Sequence, residues 1–137
     1  MERKTAGFRE IEHTADWELH VWAPDMVTLL EMAAQGMYEL SHTHLSDAQQ
    51  VDRSITIPFT DRETLLVDFL SELLFYAEDE NLAFDDFQLK FDGTELKAQI
   101  SGASIANQAK EIKAVTYHRM AVCEIENGLE VNIVFDV

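Results

Sequence analysis

Two polar clusters at the ends of predicted strands contain the residues best suited to chemistry: residues 12–16 (EHTAD) and the final residues 135–137 (FDV). In a strand ordered to its end, the side chain of Asp136 and the terminal carboxylate of Val137 lie close together. Two adjacent anions repel unless a proton, a base or a cation joins them. With Asp16 as a third carboxylate, the set suits a hard ion such as Ca²⁺ or Mg²⁺. The alternative is a frayed chain end with solvated carboxylates.

The pair His13 and Asp16 allows three interpretations. It could form a proton relay, it could bind a metal with one residue orienting the other, or it could close an Asx-type turn on local amides. The only cysteine, Cys123, permits no intrachain disulfide and no zinc-binding Cys pair. Because it lies in an alternating stretch, we expect a buried thiol.

The sequence lacks the motifs of several enzyme classes. It contains no GxGxxG or GxxxxGK loop for a nucleotide, no GxSxG nucleophile elbow and no HExxH zinc pair. The chemistry of the two acidic clusters is therefore the main functional signal.

The composition restricts the partners. The chain has 137 residues, with 10 Lys and Arg against 26 Asp and Glu, for a net charge of −16. A domain this acidic is a poor direct binder of nucleic acid or of an anionic membrane surface. No apolar stretch reaches the length of a membrane span or resembles a signal peptide, which predicts a cytoplasmic protein. With 47% hydrophobic residues, residues 1–137 are expected to form a single domain.

Two helices are predicted from apolar residues at 3/4 spacing. The first covers residues 24–41, with Asp25 complementing the helix dipole. The second begins at a capping box of Thr60 and Glu63 and continues to about residue 80. It is apolar over most of its circumference, so we expect it to be largely buried.

Alternating apolar residues predict strands over residues 8–12, 17–22, 55–57, 87–91, 96–100, 112–120 and 129–137. Asp92-Gly93 and Asn127-Gly128 predict two hairpins. The order β-β-α-β-α-β-β-β-β predicts an α+β fold, a two-layer domain with a mixed or antiparallel sheet packed against two main helices.

Several of these segments together resemble the archease family: HTAD at 13–16, the helix LLVDFLSELL at 65–74, EIKAVTYH at 111–118, and the terminal FDV. They occur in the same order as in the family and span nearly the whole chain. The resemblance implies a protein cofactor rather than an enzyme, which activates an RtcB-type RNA ligase in tRNA splicing and RNA repair. It would promote ligase guanylylation and multiple turnover, and broaden the use of nucleoside triphosphates.

The resemblance also implies site residues. Asp16, Asp136 and Val137 match the family's metal site, for which Ca²⁺ is expected and Mg²⁺ or Mn²⁺ also fit oxygen ligands. Lys113 matches a lysine beside that site. The residues expected to assist it are His13, Glu72 and His118.

Two other functions stay open. One is a small metal-dependent hydrolase or phosphotransferase with His13 as base. The other is a metal-stabilised, chaperone-like module. The chain also departs from the family after HTAD, where Trp17-Glu18 replaces an apolar and a small residue, so the local strand geometry and the partner surface are in question.

Overall fold

A computed structural model of the chain describes residues 5–12 and 16–137. The described residues form two helices, α1 (Met26–Leu40) and α2 (Arg62–Glu80). They also form nine strands: β1 (Gly7–Ile11), β2 (Trp17–Ala23), β3 (Thr43–Leu45), β4 (Val51–Pro58), β5 (Leu82–Asp92), β6 (Glu95–Gln108), β7 (Ala114–Thr116), β8 (Cys123–Ile125) and β9 (Gly128–Asp136).

The strands build two antiparallel sheets. The first has the order β1-β2-β9-β7, and β8 also pairs with β9. In the second, β6 pairs with β5, β4 and β3. The α+β class with two main helices is confirmed, whereas the strands divide into two sheets where one was expected. The predicted strand at 112–120 is shortened to β7, and β3 and β8 were not predicted.

Helix α1 begins at Met26, two residues later than predicted, with Asp25 as its N-cap. The Asp25 carboxylate accepts a hydrogen bond from the backbone N–H of Thr28 at 2.8 Å and caps the helix. The helix packs on β1 and β2. It does so closely, because a Cβ on Gly36 would lie 2.5 Å from the Leu19 side chain and 2.9 Å from that of Phe8.

Helix α2 is capped one residue later than the capping box predicts. Asp61 is the N-cap, and its carboxylate accepts the Thr64 backbone N–H at 2.7 Å and the Thr64 hydroxyl at 3.0 Å. Glu63 instead accepts the backbone N–H of Val122 at 2.7 Å. Asp61 therefore caps α2 in place of the predicted capping box of Thr60 and Glu63. Glu63 instead connects α2 to the loop before β8.

Loss of this cap should produce a pH-dependent loss of stability. The hydrogen bonds from the backbone and side chain of Thr64 lower the pKa of Asp61. A lowered folded-state pKa stabilises the protein above the unfolded-state pKa, near 4, and this contribution disappears as the pH falls through the folded value. We expect Asp61→Ala to lower the melting temperature at pH 7 and to have little effect at pH 2, as measured by circular dichroism. Asp47→Ala, which removes another exposed aspartate, is the control. An equal loss at both pH values would contradict this account.

Helix α2 and strand β9 both contribute heavily to the core. The apolar residues predicted for the core face of β9 are buried, and one hydrophobic cluster contains residues of both helices and both sheets. The predicted burial of α2 is confirmed for its apolar side, where Leu65, Leu66, Phe69, Leu70 and Leu73 are inaccessible. Neither helix in the described ranges is long and apolar enough to cross a membrane.

Candidate functional site

Three strands of the first sheet bring the predicted acidic residues to one end of that sheet. In the pairing of β2 with β9, Trp17 lies opposite Phe135. Asp16 immediately precedes β2 and Asp136 is the last residue of β9, so the register places the two residues side by side. On the other side of β9, the backbone N–H of Lys113 donates to the carbonyl oxygen of Asp136 at 2.8 Å. Residues from three distant parts of the sequence are therefore neighbours.

The side chains at this end of the sheet are available to a ligand. Asp16, Lys113 and Asp136 are exposed, whereas Val137 is half-buried and packs against the hydrophobic core. Packing of Val137 limits its motion and keeps the end of β9 next to its neighbours. The structure therefore gives the predicted site two exposed carboxylates on an anchored strand end, with a lysine beside them.

These groups fit a hard divalent cation in their chemistry. Ca²⁺, Mg²⁺ and Mn²⁺ accept carboxylate and carbonyl oxygens, and a site with few protein ligands keeps water in the remaining positions. Within residues 5–12 and 16–137, no three His, Cys, Asp or Glu side chains are grouped as a metal site. A cation held by the side chains of Asp16 and Asp136 would therefore need further ligands. These would come from main-chain or terminal oxygens, from water or from a partner.

The other predicted site residues have different positions. His13 lies outside the described residues. Glu72 is half-buried on α2. His118 is exposed in a turn beyond the far end of β7, where its backbone N–H donates to the Thr116 hydroxyl at 3.2 Å. The assisting roles of these residues stay predictions.

The departure at Trp17-Glu18 has a structural explanation. Trp17 packs against the core, whereas Glu18 lies on the opposite face of the sheet and is only 7% exposed. The guanidinium of Arg119 donates to the Glu18 carboxylate at 3.3 Å. Arg119 adopts a positive φ of 53°, which is uncommon for a residue with a side chain. The loop after β7 therefore supplies the cation for this buried carboxylate.

Removal of that cation should destabilise the fold. Breaking a fully buried ion pair costs about 3–5 kcal/mol. Because the Arg119 side chain is 60% exposed, solvent screens the pair and we expect Arg119→Met to cost about 1–2 kcal/mol. Urea denaturation would measure the loss, and Glu18→Gln in the same chain should recover part of it. An Arg119→Met protein as stable as the parent would refute this role.

The same face of the sheet carries a polar network that we did not predict. His20 Nδ1 lies 2.6 Å from Asn132 Oδ1, and His20 Nε2 lies 3.4 Å from Glu130 Oε2. These residues line a groove of about 390 Å³, together with Arg9 and Arg119. Alternation along β2 and β9 places His20, Glu130 and Asn132 on the polar faces of their strands. The pairing register that brings these residues together cannot be predicted from either segment alone.

The prediction of a buried Cys123 thiol is wrong. Cys123 is exposed, because β8 is a three-residue strand and Cys123 lies opposite Glu130, on the face of the sheet that turns away from the core. The alternating stretch around Cys123 suggested burial, but β8 itself was not predicted and the face it turns to the core was assigned wrongly. No disulfide forms among the described residues.

Comparison with known proteins agrees with the fold and identifies the family. The model of the Archease protein family matches residues 8–137. A protein archease from Methanothermobacter thermautotrophicus is 30% identical over 139 residues, covering 96% of this chain and 99% of the relative. A protein archease from Methanopyrus kandleri is 36% identical over 136 residues, covering 88% and 91%. The chain belongs to the archease family.

Solved structures of similar proteins support this assignment. The crystal structure of an archease from Thermotoga maritima, described as a possible chaperone, matches with a TM-score of 0.72 and 25% identity over 94% of this chain and 96% of that one. A solution structure of a Methanobacterium thermoautotrophicum protein matches with a TM-score of 0.71 and 27% identity, covering 96% and 99%. The expected resemblance to the archease family is thus confirmed.

Proposed function

We propose that this protein is a cytoplasmic cofactor of an RtcB-type RNA ligase in tRNA splicing and RNA repair. In this role it promotes guanylylation of the ligase and its multiple turnover, and broadens its use of nucleoside triphosphates. The observation that carries the proposal is the convergence of Asp16, Asp136 and Lys113 at one end of a sheet in an archease-family chain. The protein assists catalysis and does not itself catalyse ligation.

Asp16 and Asp136 would hold a divalent cation, Ca²⁺ in the first instance, with the carboxylate of Val137 as a further ligand. When bound, such an ion supplies positive charge that can accept a phosphate oxygen or an acidic group of the partner. The chain's own contribution is positional, because β9 is hydrogen-bonded on both sides. Strand pairing holds the backbone of Asp136 and places Asp16, just before β2, beside it.

Lys113 would supply a cation at the same end of the sheet as this acidic pair. Its backbone is held by the hydrogen bond to Asp136, while its side chain is exposed. An ammonium group in this place can balance the carboxylates before a metal binds, or contact a phosphate of the ligase-bound nucleotide. His13, Glu72 and His118 are assigned assisting roles in the same proposal.

The charge of the chain supports a basic protein partner. A net charge of −16 opposes direct RNA binding but increases the rate of encounter with a positively charged surface. A ligase that binds RNA carries such a surface. In this proposal the ligase holds the RNA, and the cofactor approaches the ligase at the end of the sheet that carries Asp16 and Asp136.

A reconstituted ligation reaction tests the proposal. An RtcB-type ligase from the same organism is given a broken RNA and GTP, with and without this protein, and ligated product is measured per ligase molecule. We expect repeated turnover only with the protein present, and use of ATP in addition to GTP. Unchanged ligation would refute the proposal. Turnover of phosphate esters by this protein alone would favour a metal-dependent hydrolase instead.

A further inference from the structure

A small pocket lies between the C-terminal halves of α1 and α2 and the segment 108–112, which begins at the last residue of β6. Its volume is about 180 Å³. Its lining includes four apolar side chains and two exposed carboxylates: Met37, Leu74, Ala77, Ile112, Glu78 and Glu111. With Tyr38, Ser41 and Gln108 also in its lining, the pocket therefore combines apolar and polar walls with acidic groups that solvent can reach.

Hydrogen bonds around Ser41 hold the walls of this pocket in place. Ser41 is 2% exposed, and its carbonyl oxygen accepts the backbone N–H groups of Ala109 at 3.1 Å and Lys110 at 3.3 Å. The Gln108 side chain donates to the Thr43 hydroxyl at 2.8 Å. These bonds tie segment 108–112 to the end of α1, so the pocket does not depend on a ligand for its shape.

The electrostatic environment of the pocket favours a cation. The C-terminal end of a helix carries partial negative charge, and neither α1 nor α2 has a basic residue in its last turn. The sequence has no Lys or Arg between Arg9 and Arg53 or between Arg62 and Lys90. Lys110 is nearby but does not line the pocket. Glu78 and Glu111 therefore face little competition from the chain's own cations.

We infer that this pocket receives a lysine or arginine side chain of a basic protein partner. Its volume lies below the roughly 300–1,000 Å³ of pockets for small-molecule ligands, and it suits a single side chain. The aliphatic stem of such a residue packs on Leu74 and Ile112. The charged head then reaches Glu78 and Glu111 and forms charge-assisted hydrogen bonds.

The pocket adjoins the proposed metal site, so one partner can contact both. Ile112 lines the pocket, and the next residue, Lys113, donates its N–H to Asp136. The identity of the partner as the ligase rests on the proposed function. The inference that the pocket binds a cationic side chain does not rest on the proposed function, because it follows from the residues and charges that line the pocket.

Titration with amino-acid amides tests the pocket without any partner. The probes are Nα-acetyl-arginine amide and Nα-acetyl-lysine amide, and Nα-acetyl-citrulline amide is the neutral isostere of the first. NMR of the ¹⁵N-labelled protein should show shifts at Ala77, Glu78, Glu111 and Ile112 with the two cationic probes only. Equal shifts with citrulline, or shifts spread over all acidic residues, would overturn the inference.

Charge-removing variants provide the matched comparison. Glu78→Gln and Glu111→Gln should each raise the dissociation constant of the arginine probe up to about fivefold, the scale of one solvent-accessible ion pair. Glu126→Gln, an identical change in the exposed turn before β9, should have no effect. An equal change with Glu126→Gln would show a general charge effect and refute the pocket.

The ligation assay separates this inference from the proposed function. Glu78→Gln and Glu111→Gln should raise the protein concentration needed for half-maximal stimulation and leave the maximum unchanged. Unaltered half-maximal concentrations would refute the pocket as a partner contact, although the proposed function would stand. No stimulation by the unmodified protein would refute the proposed function, while selective binding of the arginine probe would still support the pocket.

Discussion

Replacement of Asp16 or Asp136 by Asn is expected to abolish stimulation of the ligase. Each change removes one negative charge and one of the proposed oxygen ligands of the cation, while keeping the size of the side chain. Loss of a residue that only orients metal ligands weakens binding about 10- to 100-fold. Loss of a direct ligand should weaken Ca²⁺ binding by at least about tenfold, as measured by isothermal titration calorimetry.

The fold should survive both substitutions. Asp16 and Asp136 are exposed, and the strand pairing of β9 uses backbone groups that the substitutions leave unchanged. Melting temperatures without metal should therefore stay close to that of the parent. Asp47→Asn makes the same chemical change at an exposed position far from β9 in sequence and serves as the control. Full stimulation by either site variant would rule out the metal role.

The terminal ligand can be tested separately. A chain extended by one glycine after Val137 has a peptide bond in place of the carboxylate at that residue. Because the Val137 side chain packs against the core, the strand should remain in place while the charge moves outward. We expect weaker Ca²⁺ binding in this variant, and unchanged binding would exclude the Val137 carboxylate as a ligand.

The largest loss of stability is expected for Gly102→Ala. Gly102 lies in the middle of β6, opposite Phe84 of β5 and next to the bulge between Phe84 and Asp86. A Cβ at Gly102 would lie 1.9 Å from the Ala83 carbonyl oxygen and 2.6 Å from the Phe84 Cα. Both atoms belong to the backbone, so relief of the clash requires the two strands to separate.

The expected cost is roughly 3–5 kcal/mol, in the upper range for single substitutions and a large part of the total stability of a domain. Urea denaturation should show a strongly lowered midpoint. Gly93→Ala is the matched control, because a Cβ there meets no atom within 4 Å and only the positive φ of 63° opposes it. That strain costs about 1–2 kcal/mol. Equal losses in the two variants would disprove the importance of the close strand approach.

The elements of this fold could largely be predicted from local patterns. Apolar residues at every second position identified β9 and its core face. Two of the residues with positive φ, Gly93 and Asn127, lie at the two predicted hairpins. The short strands could not be predicted, because β3 and β8 have three residues each and contain too few apolar positions to show alternation. The cap of α2 was misplaced by one residue because Thr60 and Asp61 are both good N-cap residues.

The candidate site could be predicted in composition but not in geometry. Alternation shows which face of a strand a residue occupies and does not show which strand lies beside it. The pairing of Trp17 with Phe135 and the contact of Lys113 with Asp136 depend on the topology of the whole sheet. The cation for Glu18 was missed for the same reason, since Arg119 is about 100 residues away in sequence.

The central position of β9 has a consequence for folding kinetics. Asp16 and Asp136 lie at opposite ends of the sequence, and contacts of such long range slow folding. In a partly folded molecule with β9 unpaired, the carboxylates of Asp16 and Asp136 are not held next to each other. We therefore expect the metal site to be absent until a late stage, so that only molecules with a completed first sheet can act on a partner.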